Sequence, residues 1–256
     1  MTSWFDESPE TYERARPCYP EPLWDELFLR LPTPARLVEI GPATGKATGA
    51  LLSRGASVTA CEPGANLAAY LRAKLPDERL HVCHGRFEDA TLPHGAFDAV
   101  VAATSFHWLD PAVRMTKSHA ILAPNGVLAI VDTNQVASAV DRGYFQASQS
   151  IYDRYFPRDS SPAPVVPGRD VVPHAFDELR DCDLFDECEL FRYDWDQRYE
   201  TASYLDLVRS YSNTARLEPL VREAFLGDLA AFIDREFDGY VVRPLVITLS
   251  CARRRG

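Results

Sequence analysis

The first half of this 256-residue chain repeats one unit, a short apolar run followed by a longer stretch with helical spacing. RLVEI (36–40), SVTACE (57–62), LHVCH (80–84), FDAVVAA (97–103) and GVLAIVD (126–132) have the length and the valine, isoleucine and alanine content of buried strands. Helices are predicted at 45–54, 65–75 and 111–122, the last stopped by the proline and glycine of LAPNG. Parallel strands need long crossovers, and helical crossovers cover both faces of the sheet they connect. The alternation therefore predicts an α/β fold built on a doubly wound parallel sheet.

Beyond Asp132 the rhythm changes. Residues 133–186 mix aromatic residues with the proline-rich FPRDSSPAPVVPGRD; a strand is predicted over 188–195, helices near 201–210 and 216–235, and a final strand over 240–251. The expected organisation is one domain over 1–256, with residues 1–30 and 133–186 peripheral to the sheet. Open α/β sheets bind ligands beyond the carboxyl ends of their strands, so both segments are natural lids. The aromatic residues of GYFQASQSIYDRYF (143–156) fall at helical spacing, which suits both an ordinary amphipathic helix and the wall of an apolar or aromatic ligand site.

Charge narrows the function classes. The formal net charge is −10, and the terminal ARRRG is the one basic block. Phosphate contacts need clustered positive charge, so nucleic acid and anionic membrane surfaces are disfavoured partners. The first residues, MTSWFDESPETYERARP, are polar and acidic where a secretory signal needs a basic start and an apolar run, and no stretch is long and apolar enough for a membrane helix. A cytoplasmic protein is expected. Cys18, Cys61, Cys83, Cys182, Cys188 and Cys251 lack the paired spacing of a zinc site and read as reduced, buried small residues, with no metal expected. His81, His84, His94, His119 and His174 read as surface or packing residues, and the charges of DELRDCDLFDECE (177–189) as a solvated face.

The chemistry concentrates in LVEIGPATGKATGALLSRG (37–55), where a strand runs through Glu39 into a turn holding Gly41 and Gly45 and then into a helix. Glycines there allow positive φ and close backbone approach, and the helix start points N–H groups at the turn. The spacing is neither G-x-G-x-x-G nor a phosphate loop, since Gly45-Lys46 is followed by Ala47. That speaks against a nicotinamide oxidoreductase. Glu62 ends the second strand 21 positions beyond Gly41, where a carboxylate can accept hydrogen bonds from a ribose diol or cap the helix near Ala65.

VEIGPATGKAT, ACEPG, GRFEDATLPHGAFDAVVAATSFHWLDP and LAPNGVLAIV, taken in order with YERARPCYP and VRSYSNTARLEP, resemble the class I S-adenosylmethionine-dependent methyltransferases. The resemblance is to the small-molecule, type 11 group that includes trans-aconitate methyltransferase-like proteins, and covers most of the chain outside about 135–185. It implies a Rossmann-like seven-stranded, mainly parallel sheet whose last strand is antiparallel. By the same resemblance Glu39, Gly41, Ala43 and Gly45 frame the methionine end of the cofactor, Glu62 holds the ribose, and Phe87 and Glu88 meet the adenine. Ala103 ends the fourth strand beside the cofactor, and Tyr12 and Arg16 close over it. Ala43 stands where a glycine is usual and narrows the approach. His107, in SFHWLD, is a candidate base at the acceptor side, or a capping and packing residue beside Trp108. The implied cofactor is S-adenosylmethionine, its product S-adenosylhomocysteine and its acceptor a small molecule. A non-methylating, cyclase-like enzyme and an RNA or protein methyltransferase are the alternatives.

Overall fold

The computed structural model describes Asp6 and residues 8–156 and 166–256. In chain order the elements are α1 (Pro9–Ala15), α2 (Glu21–Phe28), β1 (Arg36–Ile40), α3 (Lys46–Ser53), β2 (Ser57–Glu62), α4 (Ala65–Lys74), β3 (Leu80–His84), β4 (Phe97–Ala103), α5 (Arg114–Ile121) and β5 (Leu122–Gln135). They continue with α6 (Tyr144–Tyr155), α7 (His174–Arg180), β6 (Phe185–Glu200), α8 (Thr201–Arg209), α9 (Ser212–Ala215), α10 (Pro219–Glu236) and β7 (Tyr240–Arg254).

The strands form one sheet in the order β3-β2-β1-β4-β5-β7-β6. β1 to β5 pair in parallel, and β7 runs antiparallel to both β5 and β6. The chain winds outward from β1 to one edge and then returns to β4 and β5, so the order reverses between β1 and β4. That reversal opens a crevice above the carboxyl ends of the strands.

Residues alternate between two cores because successive side chains of a strand point to opposite faces. Leu37, Ala99, Ala129 and Ile247 meet Leu23, Trp24 and Leu27 of α2, Leu51 of α3 and Leu71 of α4. Val38, Val100 and Ile130 meet Phe106, Ile121 of α5 and Leu179 of α7 on the other face. A third cluster forms a cap: Tyr144 and Ile151 of α6, Tyr204, Leu207 and Val208 of α8, and Phe225, Leu229 and Ile233 of α10. Within the two peripheral segments, α2 and α7 thus pack into the sheet's own cores, while α1 and α6 join the cap side.

Several boundaries differ from expectation, each for a physical reason. β5 begins at Leu122 rather than 126: Leu122 pairs with Phe97 and Val127 with Ala99, so the residues between bulge out of the ladder through Asn125 at φ 63°. LAPNG is therefore a bulge inside a strand and not a helix-stop loop. β6 runs over 185–200, not 188–195, because its exposed charges are those of an edge strand protected against further pairing. The helix expected over 216–235 begins at Pro219, which opens it at its first turn where a missing N–H leaves nothing unpaired, and the separate short α9 precedes it.

Two composition-based expectations need correction. All six cysteines are free thiols, but Cys18 is exposed, Cys83, Cys182 and Cys188 are half-buried, and only Cys61 and Cys251 are fully buried, where desolvation pushes each thiol up to about 12. The 177–189 stretch is not wholly solvated, since Leu179 is buried and Glu178 pairs with the buried Arg114. Among the described residues no helix is long and apolar enough to cross a membrane.

Candidate functional site

The turn after β1 has three residues in the left-handed region, Gly41 (φ 62°), Ala43 (φ 50°) and Gly45 (φ 83°). A Cβ at Gly41 would stand 2.9 Å from Cβ of Ser105, whose hydroxyl donates to Ile40 O at 2.5 Å. At Gly45 a Cβ would collide with Leu71 Cδ1, so this glycine lets α3 dock against α4. Ala43 keeps the turn geometry at a strain that a glycine would not carry, about 1–2 kcal/mol. Ala43→Gly is accordingly expected to raise unfolding stability by about 1 kcal/mol, read as a higher urea midpoint at unchanged slope.

Glu62, at the end of β2, locks this turn to the next one. Its Oε2 accepts from Ala43 N at 3.0 Å and its Oε1 from Gly64 N at 2.8 Å, within a site that leaves it 4% exposed. Desolvation raises its carboxyl, only partly offset by those two bonds. The capping role considered for Glu62 belongs instead to Asp6, whose Oδ1 accepts from Leu67 N in the first turn of α4 at 2.8 Å.

Glu39 is 1% exposed, and its Oε2 has no hydrogen-bond partner among the described residues. Burial pushes its carboxyl up to about 7, with the nearby Glu62 adding to the rise. Glu39, Gly41, Ala43 and Thr44 form one wall of a cleft of about 80 Å³. Tyr12 and Arg16 form the opposite wall, Ala103, Thr104 and Thr133 the floor at the strand ends, and Leu207 and Arg243 the side towards the cap.

The Tyr12–Arg16 wall is fastened down. Glu13 bridges Lys46 at 3.3 Å and Lys74 at 2.8 Å; desolvation opposes its charge, but the two lysines hold its carboxyl below the ordinary value. Arg16 donates to Ser210 O at 3.2 Å and lies over the rings of Tyr12 and Tyr211. On the floor, Thr104 adopts φ 54°, unusual for a β-branched residue, with its hydroxyl 3.2 Å from that of Tyr19. Such strain is concentrated at functional sites.

Of the residues expected at the site, Tyr12, Arg16, Glu39, Gly41, Ala43 and Ala103 line the cleft together. Gly45 and Glu62 support it from behind. Phe87 is buried with Lys117 Nζ 5.3 Å from its ring centre, and Glu88 Oε1 takes Arg86 and Asp110 N; neither lines the cleft. Desolvation would raise Glu88, but Arg86 outweighs it and the carboxyl is held down. The structure does not bring His107 to the cleft: it sits exposed on the turn after β4, 5.0 Å from the Trp108 ring. Desolvation and then Arg114 favour its neutral form. Tyr19, Thr104, Thr133 and Arg243 were not read from the sequence; the arginine inside the apolar YVVRPLVITLS was a usable signal. Among the described residues no group of three or more His, Cys, Asp or Glu is placed to hold a metal.

The sheet order with β7 inserted antiparallel, the glycine turn after β1 and the carboxylate that closes on it from β2 define the class I methyltransferase fold. Residues 38–130 match the methyltransferase domain family. An uncharacterized methyltransferase of Mycobacterium tuberculosis is 37% identical over 132 residues, 51% of this chain and 52% of that protein. The chain thus spans about half the length of the curated relatives it matches. A candidate type II methyltransferase from Anaeromyxobacter dehalogenans superposes with a TM-score of 0.60 at 22% identity, covering 93% of this chain and 96% of that one. Haemonchus contortus phosphoethanolamine N-methyltransferase 2, solved with S-adenosyl-L-methionine, gives 0.54 at 12% identity over 100% of this chain and 61% of that one. At these identities the likeness is one of fold.

Proposed function

We propose that this protein transfers a methyl group from S-adenosylmethionine to a small-molecule acceptor. The observation that carries the reading is Glu39, a buried carboxylate with one oxygen unpartnered in the wall of the cleft. Such an atom is stabilised by a cationic donor group, and the cofactor's ammonium is one. Arg16 on the facing wall suits its carboxylate, and Glu62, at the mouth of the second turn, suits its ribose diol. Phe87 and Glu88 beyond β3 are the proposed adenine neighbours. When bound, the cofactor supplies an already activated methyl group, so the protein's part is to align the acceptor and exclude water. The cleft is far below the roughly 300–1,000 Å³ of a typical ligand pocket, so residues 8–16 swing aside to admit the cofactor and act as its lid. The cap of α6, α8 and α10 encloses the acceptor side, which favours a compact acceptor, and the free thiols suit a reducing cytoplasm.

The test incubates the protein with methyl-labelled S-adenosylmethionine and cell extract, then separates small molecules, RNA and protein. Label in a small-molecule peak together with S-adenosylhomocysteine supports the reading; label in RNA or protein overturns the acceptor class, and substrate turnover without S-adenosylhomocysteine overturns methyl transfer. His107 lies outside the lining, so His107→Asn is expected to lower kcat by less than about tenfold, where loss of a general base would remove about 100-fold or more.

A further inference from the structure

Arg243 is a cation without a counter-ion. It rises from β7 into the side of the cleft that faces the cap, half-buried, donating to Tyr211 Oη at 2.5 Å and to Gln135 Oε1 at 2.6 Å. Both partners are neutral, and no ion pair links Arg243 to any carboxylate among the described residues. The ionisable groups that act on it most strongly are Tyr211, Tyr204, Tyr199 and Tyr152. The Tyr199 hydroxyl and that of nearby Tyr144, both buried, have no hydrogen-bond partner among the described residues. In a chain of net charge −10, a guanidinium beside orphaned hydroxyls, with no carboxylate in ion-pair contact among the described residues, is an arrangement suited to an anion.

Charge counting points to the acceptor. Arg16 also lacks a carboxylate partner among the described residues, and the two guanidinium groups share Tyr211, with Cζ atoms 5.0 and 5.9 Å from its ring centre. The proposed cofactor brings one carboxylate, for which Arg16 on the wall facing Glu39 is the partner, and it also brings a sulfonium cation that Arg243 would repel. We propose that Arg243 anchors an oxyanion, carboxylate or phosphate, carried by the methyl acceptor, with the tyrosine wall of α6 and α8 holding the acceptor's apolar body. The planar fork of arginine matches either oxyanion through paired N–H donors. Arg243 is a specificity-determining residue in this scheme; the inference rests on the methyl-transfer reading above.

The experiment titrates phenylacetate, phenyl phosphate and neutral phenylacetamide into protein saturated with S-adenosylhomocysteine, by calorimetry or ligand-observed NMR, using native protein, Arg243→Met and Arg243→Lys. At least one anion is expected to bind at least about tenfold more tightly than the amide, with that preference lost in Arg243→Met and partly kept in Arg243→Lys. Whichever anion binds more tightly identifies the oxyanion. Equal binding of acid and amide, no binding of either anion, or a preference that survives Arg243→Met overturns the proposal. S-adenosylhomocysteine affinity, measured first on each protein, separates the failures: if native protein does not bind it, the methyl-transfer reading falls by itself. A variant that binds it normally has folded.

Discussion

Glu62→Ala is expected to lose both stability and cofactor. The carboxylate is the common acceptor for Ala43 N and Gly64 N, so its removal leaves two backbone donors unpaired in a nearly dry site. Each such donor is worth about 1–3 kcal/mol, and relief from burying a charged carboxylate returns part of that, giving a net loss of about 2–4 kcal/mol by urea denaturation. Cofactor affinity is expected to fall by more than about tenfold, since the turn proposed to cradle the methionine end and the proposed ribose contact fail together. Glu62→Gln keeps one good acceptor and should fall between alanine and native protein. Native affinity in the alanine variant would remove Glu62 from the site altogether.

Cofactor binding is expected to release a proton near pH 7, and Glu39 is the source. Desolvation, reinforced by Glu62, lifts its carboxyl to about 7 in the ligand-free fold, against an ordinary value of 4.5. A raised folded-state value means that the fold binds a proton the unfolded chain does not. The resulting stability, about 3 kcal/mol, is present in full below the ordinary value and is lost as pH climbs through about 7. An ammonium placed against the unpartnered Oε2 favours the ionised form, so affinity should rise with pH across the same window. Calorimetry in two buffers of different ionisation enthalpy would show the proton as a difference in apparent binding enthalpy. Glu39→Gln should abolish that difference, weaken binding, and stabilise the ligand-free protein above pH 7. Identical enthalpies in both buffers would sink the assignment.

How much of this was legible in the sequence depends on how local the cause is. β1, β2 and β4 were readable to the residue because strands inside a covered parallel sheet are near-continuous apolar runs, and the edge strand β3 because it is a short run between turn residues. β6 was half hidden, since an edge strand alternates charge with apolar residues and resembles a loop. The glycine turn was visible, yet one of its glycines is there for a reason the turn does not contain: Gly45 answers to Leu71 on α4. Asp6 was beyond reach because its role arises across 61 positions, to Leu67, and Arg243 was signalled only by its place in an apolar run, since its partner Gln135 lies 108 positions away. Arg243 reaches the cleft only because β7, the last strand in the chain, inserts beside β5.

The Glu13 bridge has a kinetic meaning. One carboxylate holds α1 against Lys46 of α3 and Lys74 of α4, and both partners are near enough to solvent to be screened. Were α1 the proposed lid, the protein would work in escapement fashion, with neither reactant entering nor spent product leaving until the bridge lets go. Turnover would then quicken with moderate salt while the chemical step stayed the same, and the protein's pace would be set at its rim, by three charges that never touch the methyl group.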